Sequence, residues 1–162
     1  MTEPQALEYA SSLSFLLSQV GGRSAQLFGE LLHPLGMSPR AFGVLSNLAS
    51  EPHQAQQRLA DALGIHRNNM VALIDELEAA GWVRRKRSAS DRRAFELELT
   101  RRGATIVTKI ERLIPDLDAA IGQGLTGAER AALVVLLAKT AKSLDLRPGV
   151  HPHLRSFNRS GG

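Results

Sequence analysis

The 162-residue chain contains no cysteine. Disulfide bonds, cysteine-ligated zinc sites, cysteine nucleophiles and cysteine-based oxidation sensors are therefore excluded. Long apolar runs are also missing, because the longest one, residues 131–138, is far shorter than the roughly 20 residues that span a bilayer. The first ten residues are polar and acidic, unlike a secretory signal, so we expect a cytoplasmic protein that does not enter the membrane.

A chain of this length forms one compact domain that buries roughly 70% of its unfolded surface.

Charge of one sign is abundant in only one segment. The formal net charge of the chain is a modest +4. Residues 84–102 alone hold eight basic and three acidic side chains, a net of +5, so the remainder sums to −1. The distribution of charge is therefore more informative than its total.

The N-terminal third of the chain has the apolar period of helices. Leucine, valine and phenylalanine recur at three- and four-residue steps from residue 8 to about 35, which predicts an amphipathic helix. Gly21 and Gly22 interrupt it, and we expect a kink, a break or a close backbone contact there. Ser38 followed by Pro39 then marks the start of a short helix that ends near Ser50.

Two further helices are predicted over residues 54–63 and 66–80, separated by a glycine turn. Gly64 suits a backbone with positive φ, and the helical pattern resumes within two residues. Gly81 ends the second of these helices. The pattern is helix, tight turn, helix.

After residue 81 the apolar period changes from helical to alternating. Residues 82–87 and 94–99 are predicted to pair as a β-hairpin through the polar linker 88–93. In the second strand the alternation places Phe95, Leu97 and Leu99 inward and Glu96 and Glu98 outward. Thr100 then caps a helix that reaches about residue 121 and bends at Pro115.

The chain is predicted to end with one more helix and a tail. Thr126 and Glu129 form a capping box at the start of that helix. The tail from Arg147 is rich in proline, glycine, histidine and arginine, and we expect it to be disordered.

Two short helices followed by a basic hairpin predict a winged helix-turn-helix: a mainly α fold with a small β-hairpin wing. The second helix of such a unit fits the major groove of DNA, and an arginine at the hairpin tip can enter the neighbouring minor groove. Basic residues at the base of the wing meet phosphates.

Four motifs resemble the MarR family of bacterial transcription regulators: LADALGIHR at 59–67, LIDELEAAGWVRR at 73–85, DRRA at 91–94 and LTRRG at 99–103. The resemblance implies a homodimer whose flanking helices pair beneath two winged lobes and whose recognition helices, about 34 Å apart, bind a palindrome in double-stranded DNA. It divides the chain into an N-terminal dimerisation helix (1–35), a DNA-binding region (36–102), C-terminal dimerisation helices (103–146) and the tail (147–162).

The recognition helix differs from the usual family pattern, with His66 in place of serine and asparagines in place of small hydroxyl residues. We predict that Arg67, Asn68 and Asn69 contact bases in the major groove, since asparagine can bond adenine through two atoms. The alternative is that these three side chains only form a solvated first turn.

Roles in the wing are assigned residue by residue. Arg92 is the predicted minor-groove residue at the tip, and by resemblance Asp91 pairs with Arg93 to stiffen the loop. The predicted phosphate contacts are Arg84, Arg85, Lys86 and Arg87. Any of these four could instead pair with Glu96 or Glu98 across the hairpin, and for two of them we expect that outcome.

Relatives that bind small anionic aromatic ligands suggest an effector pocket, for which His33, Met37, Arg40 and Phe42 are candidates; ordinary core packing is the alternative. No metal site, cofactor or catalytic constellation is predicted, since the histidines lack ligand spacing and no phosphate loop or catalytic triad stands out. The resemblance therefore implies a ligand-responsive, sequence-specific dimeric repressor. A nonspecific architectural DNA-binding protein and a winged-helix protein-interaction module are the alternatives.

Overall fold

The computed structural model describes residues 9–88, 94–147 and Gly149. This part of the chain is mainly helical and has one small antiparallel sheet, so the predicted fold class is confirmed. In chain order the elements are α1 (Leu13–Leu32), a short 3-10 helix (His33–Leu35), α2 (Pro39–Ser50), β1 (Gln54–Ala55), α3 (Gln56–Leu63), α4 (Arg67–Ala79), β2 (Val83–Arg87), β3 (Phe95–Leu99), α5 (Arg101–Glu111), α6 (Ile114–Ile121) and α7 (Gly127–Ser143).

Side-chain caps fix where several helices begin. The hydroxyl of Ser38 accepts a hydrogen bond from the backbone N–H of Ala41 at 3.1 Å, directly before α2. The capping box of Thr126 and Glu129 is present at the start of α7. A capping side chain satisfies backbone donors that have no partner inside the helix, which contributes about 1 kcal/mol. These predicted starts are confirmed.

The hydrophobic core lies between α2, α3, α4, the sheet and α5. Its largest fully buried side chains include Leu32, Leu45, Leu48, Leu59, Leu63, Met70, Ile74, Leu77, Leu97 and Ile110. Each such side chain stabilises the fold by roughly 1.5–3 kcal/mol relative to exposure to water. The core therefore holds the two helices of the helix-turn-helix and the hairpin as one unit.

The sheet has three strands in the order β1-β3-β2, with both pairs antiparallel. The predicted hairpin is confirmed, but strand β1 was not predicted, because residues 54 and 55 were assigned to the following helix. The inward and outward assignment of β3 is also wrong at two positions. Phe95 is 51% exposed, whereas Glu98 is buried at 7% exposure. Strand β3 is central in the sheet, so its side chains have neighbours on both sides. Arg84 of β2 and His53, which directly precedes β1, flank Glu98 and cover it.

Two helix predictions are corrected. Helix α1 runs without a break through Gly21 and Gly22, and a Cβ atom at either glycine would have no neighbour within 4 Å among the described residues. The predicted long helix after Thr100 is two helices rather than one bent helix, since α5 ends at Glu111 and Pro115 occupies the first turn of α6. Proline is tolerated there because first-turn N–H groups have no partner inside the helix.

The first and last helices expose large apolar side chains. On α1 these are Leu13, Leu16 and Val20, and on α7 they are Leu133, Val134, Val135, Leu136 and Leu137. Helix α7 buries no residue against the rest of the described chain. None of the helices in the described ranges is both long and apolar enough to cross a membrane.

Candidate nucleic-acid interface

The turn between α3 and α4 is built as the sequence predicts. Gly64 has φ +66°, in the left-handed region, and the backbone N–H of Ile65 returns to the carbonyl of Ala60 at 3.0 Å. His66 follows as the N-cap of α4, where its Nδ1 accepts a hydrogen bond from the backbone N–H of Asn68 at 3.3 Å. Histidine thus takes the capping role that a hydroxyl residue usually performs.

The first turn of α4 presents three polar side chains to solvent. Arg67, Asn68 and Asn69 are all exposed, whereas Met70 and Ile74, which follow them in the helix, are fully buried. A buried face anchors the helix, so its exposed first turn is held in a defined orientation. This arrangement leaves the three predicted base-contacting side chains accessible to a large partner.

Arg85 links the wing to α4. Its guanidinium lies 2.7 Å from Oδ1 of Asp75 and also pairs with Oε2 of Glu78. The Oε1 atom of Glu78 accepts a hydrogen bond from the backbone N–H of Arg85 at 3.1 Å. Burial lowers the pKa of the Arg85 guanidinium, but the hydrogen bonds and charges of Asp75 and Glu78 outweigh it and raise that pKa. Strand β2 is therefore fixed against the helix by one guanidinium that pairs with two carboxylates.

The next charged group is centred on the buried carboxylate of Glu98. Its Oε1 lies 2.5 Å from Nε of Arg84, and its Oε2 lies 3.2 Å from Nδ1 of His53 and 4.0 Å from Nζ of Lys86. Burial raises the pKa of this carboxyl, but Arg84, then Lys86 and His53, outweigh it and hold the pKa below its usual value. We call these four residues the Glu98 cluster.

The four basic residues of β2 therefore have different surroundings. Arg84 and Lys86 pair with Glu98 across the hairpin, which is the alternative expected for two of the four. Arg85 instead pairs with residues of α4. The guanidinium carbon of Arg87 lies 5.3 Å from the ring centroid of Phe95, within cation–π range. Asp91, Arg92 and Arg93, the predicted wing-tip residues, lie outside the described residues.

The four candidates for an effector pocket do not share one environment. Met37 is buried in the core, and the ring of Phe42 packs edge-on against that of Phe28 with centroids 5.6 Å apart. His33 and Arg40 are exposed. For Met37 and Phe42 the structure thus agrees with the core-packing alternative.

Sequence reasoning missed two residues of this region. Glu98 was assigned to the outer face of β3, and His53 was considered only as a metal ligand. His53 has φ +62°, which is uncommon for a residue other than glycine, and its Nδ1 lies 3.2 Å from Oε2 of Glu98. No local pattern signals this contact, because it depends on how β1 and β3 align.

Known proteins share both the sequence pattern and the fold. A family model described as the MarR family matches residues 35–94. The transcriptional repressor CouR is 32% identical, with a TM-score of 0.73, over 86% of this chain and 99% of CouR. The reduced form of MarR from Escherichia coli is 30% identical, with a TM-score of 0.72, over 80% of this chain and 96% of that one. A MarR family protein from Mycobacterium tuberculosis is 28% identical, with a TM-score of 0.66, over 80% of this chain and 96% of that one. The protein therefore belongs to the MarR family of transcription regulators.

Proposed function

We propose that this regulator is a homodimeric, sequence-specific DNA-binding repressor whose operator affinity is lowered by a small ligand. The observation that carries the proposal is the exposed first turn of α4, anchored by its buried face and tied to strand β2 through Arg85. That geometry presents a recognition helix and a wing together, as winged helix-turn-helix proteins do on DNA.

The DNA-contacting residues are divided by the groove they meet. Arg67, Asn68 and Asn69 read base edges in the major groove, where the asparagine amides favour adenine. Arg92 enters the minor groove, on a tip stiffened by the pair Asp91 and Arg93. Arg84, Lys86 and Arg87 contact phosphates. Arg85 is reassigned from a phosphate contact to the residue that holds the wing, because its guanidinium already has two carboxylate partners.

Dimerisation covers the exposed apolar faces of α1 and α7. Soluble monomers rarely expose contiguous apolar patches larger than a few hundred Å². Each protomer contributes the regions 1–35 and 103–146, which leaves 36–102 as the DNA-binding unit, with 147–162 as a tail. A two-fold dimer places the two α4 helices about one DNA turn apart and so requires a palindromic site.

The proposed effector is a small aromatic anion that binds near the junction of α1 and α2. The support is analogy, since the M. tuberculosis family member was solved in complex with salicylic acid and CouR was solved on a DNA duplex. His33 and Arg40 are exposed and lie in the same segment of the chain as the partly buried Phe42 and the buried Met37, so the segment contains both polar and apolar side chains. We propose a cytoplasmic location, where the DNA is.

Mobility-shift titrations across a salt series test the DNA-binding proposal. The duplexes are the DNA upstream of the protein's own gene and a random sequence of equal length, and size-exclusion chromatography measures the mass of the free protein. We expect a dimer that binds the upstream duplex at least 1,000-fold more tightly, the lower end of the specificity ratios of such proteins. Equal affinity at every salt concentration identifies an architectural DNA-binding protein, and no binding favours a protein-interaction module.

Two variants test the division of roles. Asn69→Ala should relax base preference within the half-site, whereas Arg92→Ala should weaken binding with a smaller change in major-groove preference. Selection of bound sequences from a random pool measures both profiles. Identical profiles for the two variants contradict the assignment.

A further inference from the structure

The C-terminal end of α7 is closed by a turn of defined geometry. The backbone N–H of Leu146 donates to the carbonyl of Ala141 at 3.0 Å, and the N–H of Asp145 donates to the carbonyl of Lys142 at 3.2 Å. These two bonds form a Schellman motif, which uses the last helical carbonyls and places a left-handed residue just after the helix. Asp145 is that residue, with φ +51°. The turn therefore fixes the direction in which the chain continues to residue 147.

Arg147, the first residue of the predicted tail, contacts the helix-turn-helix. Its Nη1 atom donates hydrogen bonds to the backbone carbonyls of Asp61 and Ala62, at 3.1 and 3.2 Å. Both carbonyls belong to the last turn of α3, where carbonyls have no donor inside the helix. The negative end of the helix dipole also favours a cation at this position. One guanidinium therefore joins the segment after α7 to the end of α3.

This contact links two parts of the fold that otherwise touch little. Helix α7 buries no residue against the rest of the described chain. Among residues 9–88 and 94–147, no other hydrogen bond joins α7 or the turn after it to α3 or α4. The end of α3 is in turn fixed to α4, because only Gly64, Ile65 and His66 separate the two helices. Leu63 and Met70, on either side of this turn, are both fully buried. A displacement of the last turn of α3 therefore moves the recognition helix.

We propose that Arg147 is a positioning residue that holds the helix-turn-helix at a fixed place relative to α7, and so sets the separation of the two recognition helices. The inference rests on the proposed function, because it requires α7 to lie in the dimer interface and α4 to bind DNA. The partner protomer holds the apolar face of α7, and Arg147 transfers that fixed position to α3. Arg147 thus determines which spacing between half-sites the dimer accepts, although it contacts no base.

The spacing of half-sites provides the direct test. Mobility shifts use the palindrome selected from a random pool, and two versions with one base pair inserted or deleted at its centre. Each change moves one half-site by about 3.4 Å and rotates it by about 35°. The wild type should bind both altered duplexes more weakly. Arg147→Ala should reduce that loss of affinity about fivefold, within the range that residues linking two sites contribute, and should leave base preference within a half-site unchanged. An unchanged loss in a folded Arg147→Ala variant overturns the inference.

Matched variants separate positioning from charge. Arg147→Lys keeps the charge and several N–H donors, so it should keep the spacing preference of the wild type. Lys142→Ala removes an exposed cation from the last turn of α7 that makes no hydrogen bond to α3 among the described residues, and should also have no effect. A spacing preference that Lys142→Ala relaxes as much as Arg147→Ala assigns the effect to charge alone and overturns the inference.

The turn before Arg147 allows a second test that keeps the arginine. Asp145→Gly and Asp145→Pro both remove the carboxylate, but only glycine keeps the left-handed backbone. Proline locks φ at about −65° and lacks the N–H that donates to Lys142. Asp145→Pro should therefore relax the spacing preference as Arg147→Ala does, whereas Asp145→Gly should not. Equal spacing preferences in the two folded variants, checked by circular dichroism melting, count against the inference.

The absence of cysteine permits a measurement without DNA. Glu76→Cys introduces one exposed thiol on α4, and a spin label there reports the distance between the recognition helices of the dimer by electron–electron double resonance. Arg147→Ala in this background should broaden the distance distribution by about 3.4 Å, the rise of one base pair. Equal widths with and without the substitution overturn the inference even if the protein binds a palindrome as proposed. Broadening in a dimer that binds DNA without sequence preference contradicts only the repressor proposal, and a monomer contradicts both.

Discussion

Substitution of Gly103 by alanine tests how the wing is joined to α5. Gly103 lies in the first turn of α5, where its N–H donates to the hydroxyl of the N-cap Thr100 at 3.0 Å. A Cβ atom at this position would lie 2.0 Å from the backbone oxygen of Trp82. Ordinary carbon–oxygen contacts are about 3.3 Å or longer, so the helix and the strand would have to separate by more than about 1 Å.

The size of the effect follows from three contributions. Relief of the overlap costs about 1–3 kcal/mol. The carbonyl of Trp82 also accepts the N–H of Thr100 at 3.0 Å, and a weakened hydrogen bond there costs about 0.5–1.5 kcal/mol. Alanine returns about 1 kcal/mol through its higher helix propensity. Gly103→Ala should therefore lower the free energy of unfolding by about 2 kcal/mol, the middle of the combined range.

Thermal and urea denaturation followed by circular dichroism measure this loss. The expected shift in Tm is about 4–8 °C downward. Protein concentration is matched, because the stability of a dimer depends on it. The control is Gly127→Ala at the first residue of α7, where a Cβ atom meets nothing within 4 Å among the described residues. Its stability should not fall, and helix propensity should raise it by no more than about 1 kcal/mol. A Gly103→Ala protein as stable as the wild type would contradict the predicted overlap with the backbone of Trp82.

Three further predictions follow from other contacts. Arg85→Ala leaves the carboxylates of Asp75 and Glu78 without their partner. Because both carboxylates are partly exposed and can be solvated, the free energy of unfolding in urea titrations should fall by about 1 kcal/mol, and an unchanged midpoint would count against the link between wing and helix. The lowered pKa of Glu98 stabilises the fold above the unfolded pKa of about 4.3, and this stabilisation is lost as pH falls through the folded value. Glu98→Gln should therefore flatten the acid limb of Tm against pH, whereas parallel profiles would contradict this. Gly22→Ala, in the open middle of α1, should stabilise the protein by about 1 kcal/mol in the same melts, and a loss of stability would show that a second copy packs there.

Local features of the sequence were sufficient where the interaction is itself local. The caps at Ser38 and Thr126 join residues three apart, and the left-handed turn at Gly64 depends on the missing Cβ of one residue. Such features fix the ends of helices whatever surrounds them. The spacing of the motifs around them was enough to predict the winged helix-turn-helix and the family resemblance.

Contacts between distant segments were not predictable in this way. The alternation of apolar residues predicts that one face of β3 is buried. It does not predict that a third strand, Gln54–Ala55, pairs with the other edge of β3 and makes it the central strand. The acid at residue 98 is therefore buried although its neighbours in sequence suggest a solvated face. Its partner His53 is 45 residues away and has a left-handed backbone.

Sequence patterns alone predict the order of the main helices and of the hairpin, the caps at Ser38 and Thr126, the glycine turn and the basic segment of the wing, but not strand β1 or the division between α5 and α6. Which cation meets which carboxylate depends on the packing of distant segments: Arg85 pairs with Asp75 of α4, whereas Arg84 and Lys86 share Glu98. The physical reason is that charge pairing depends on separations of a few ångströms between segments that packing brings together. Residue order alone does not encode those separations in any short pattern.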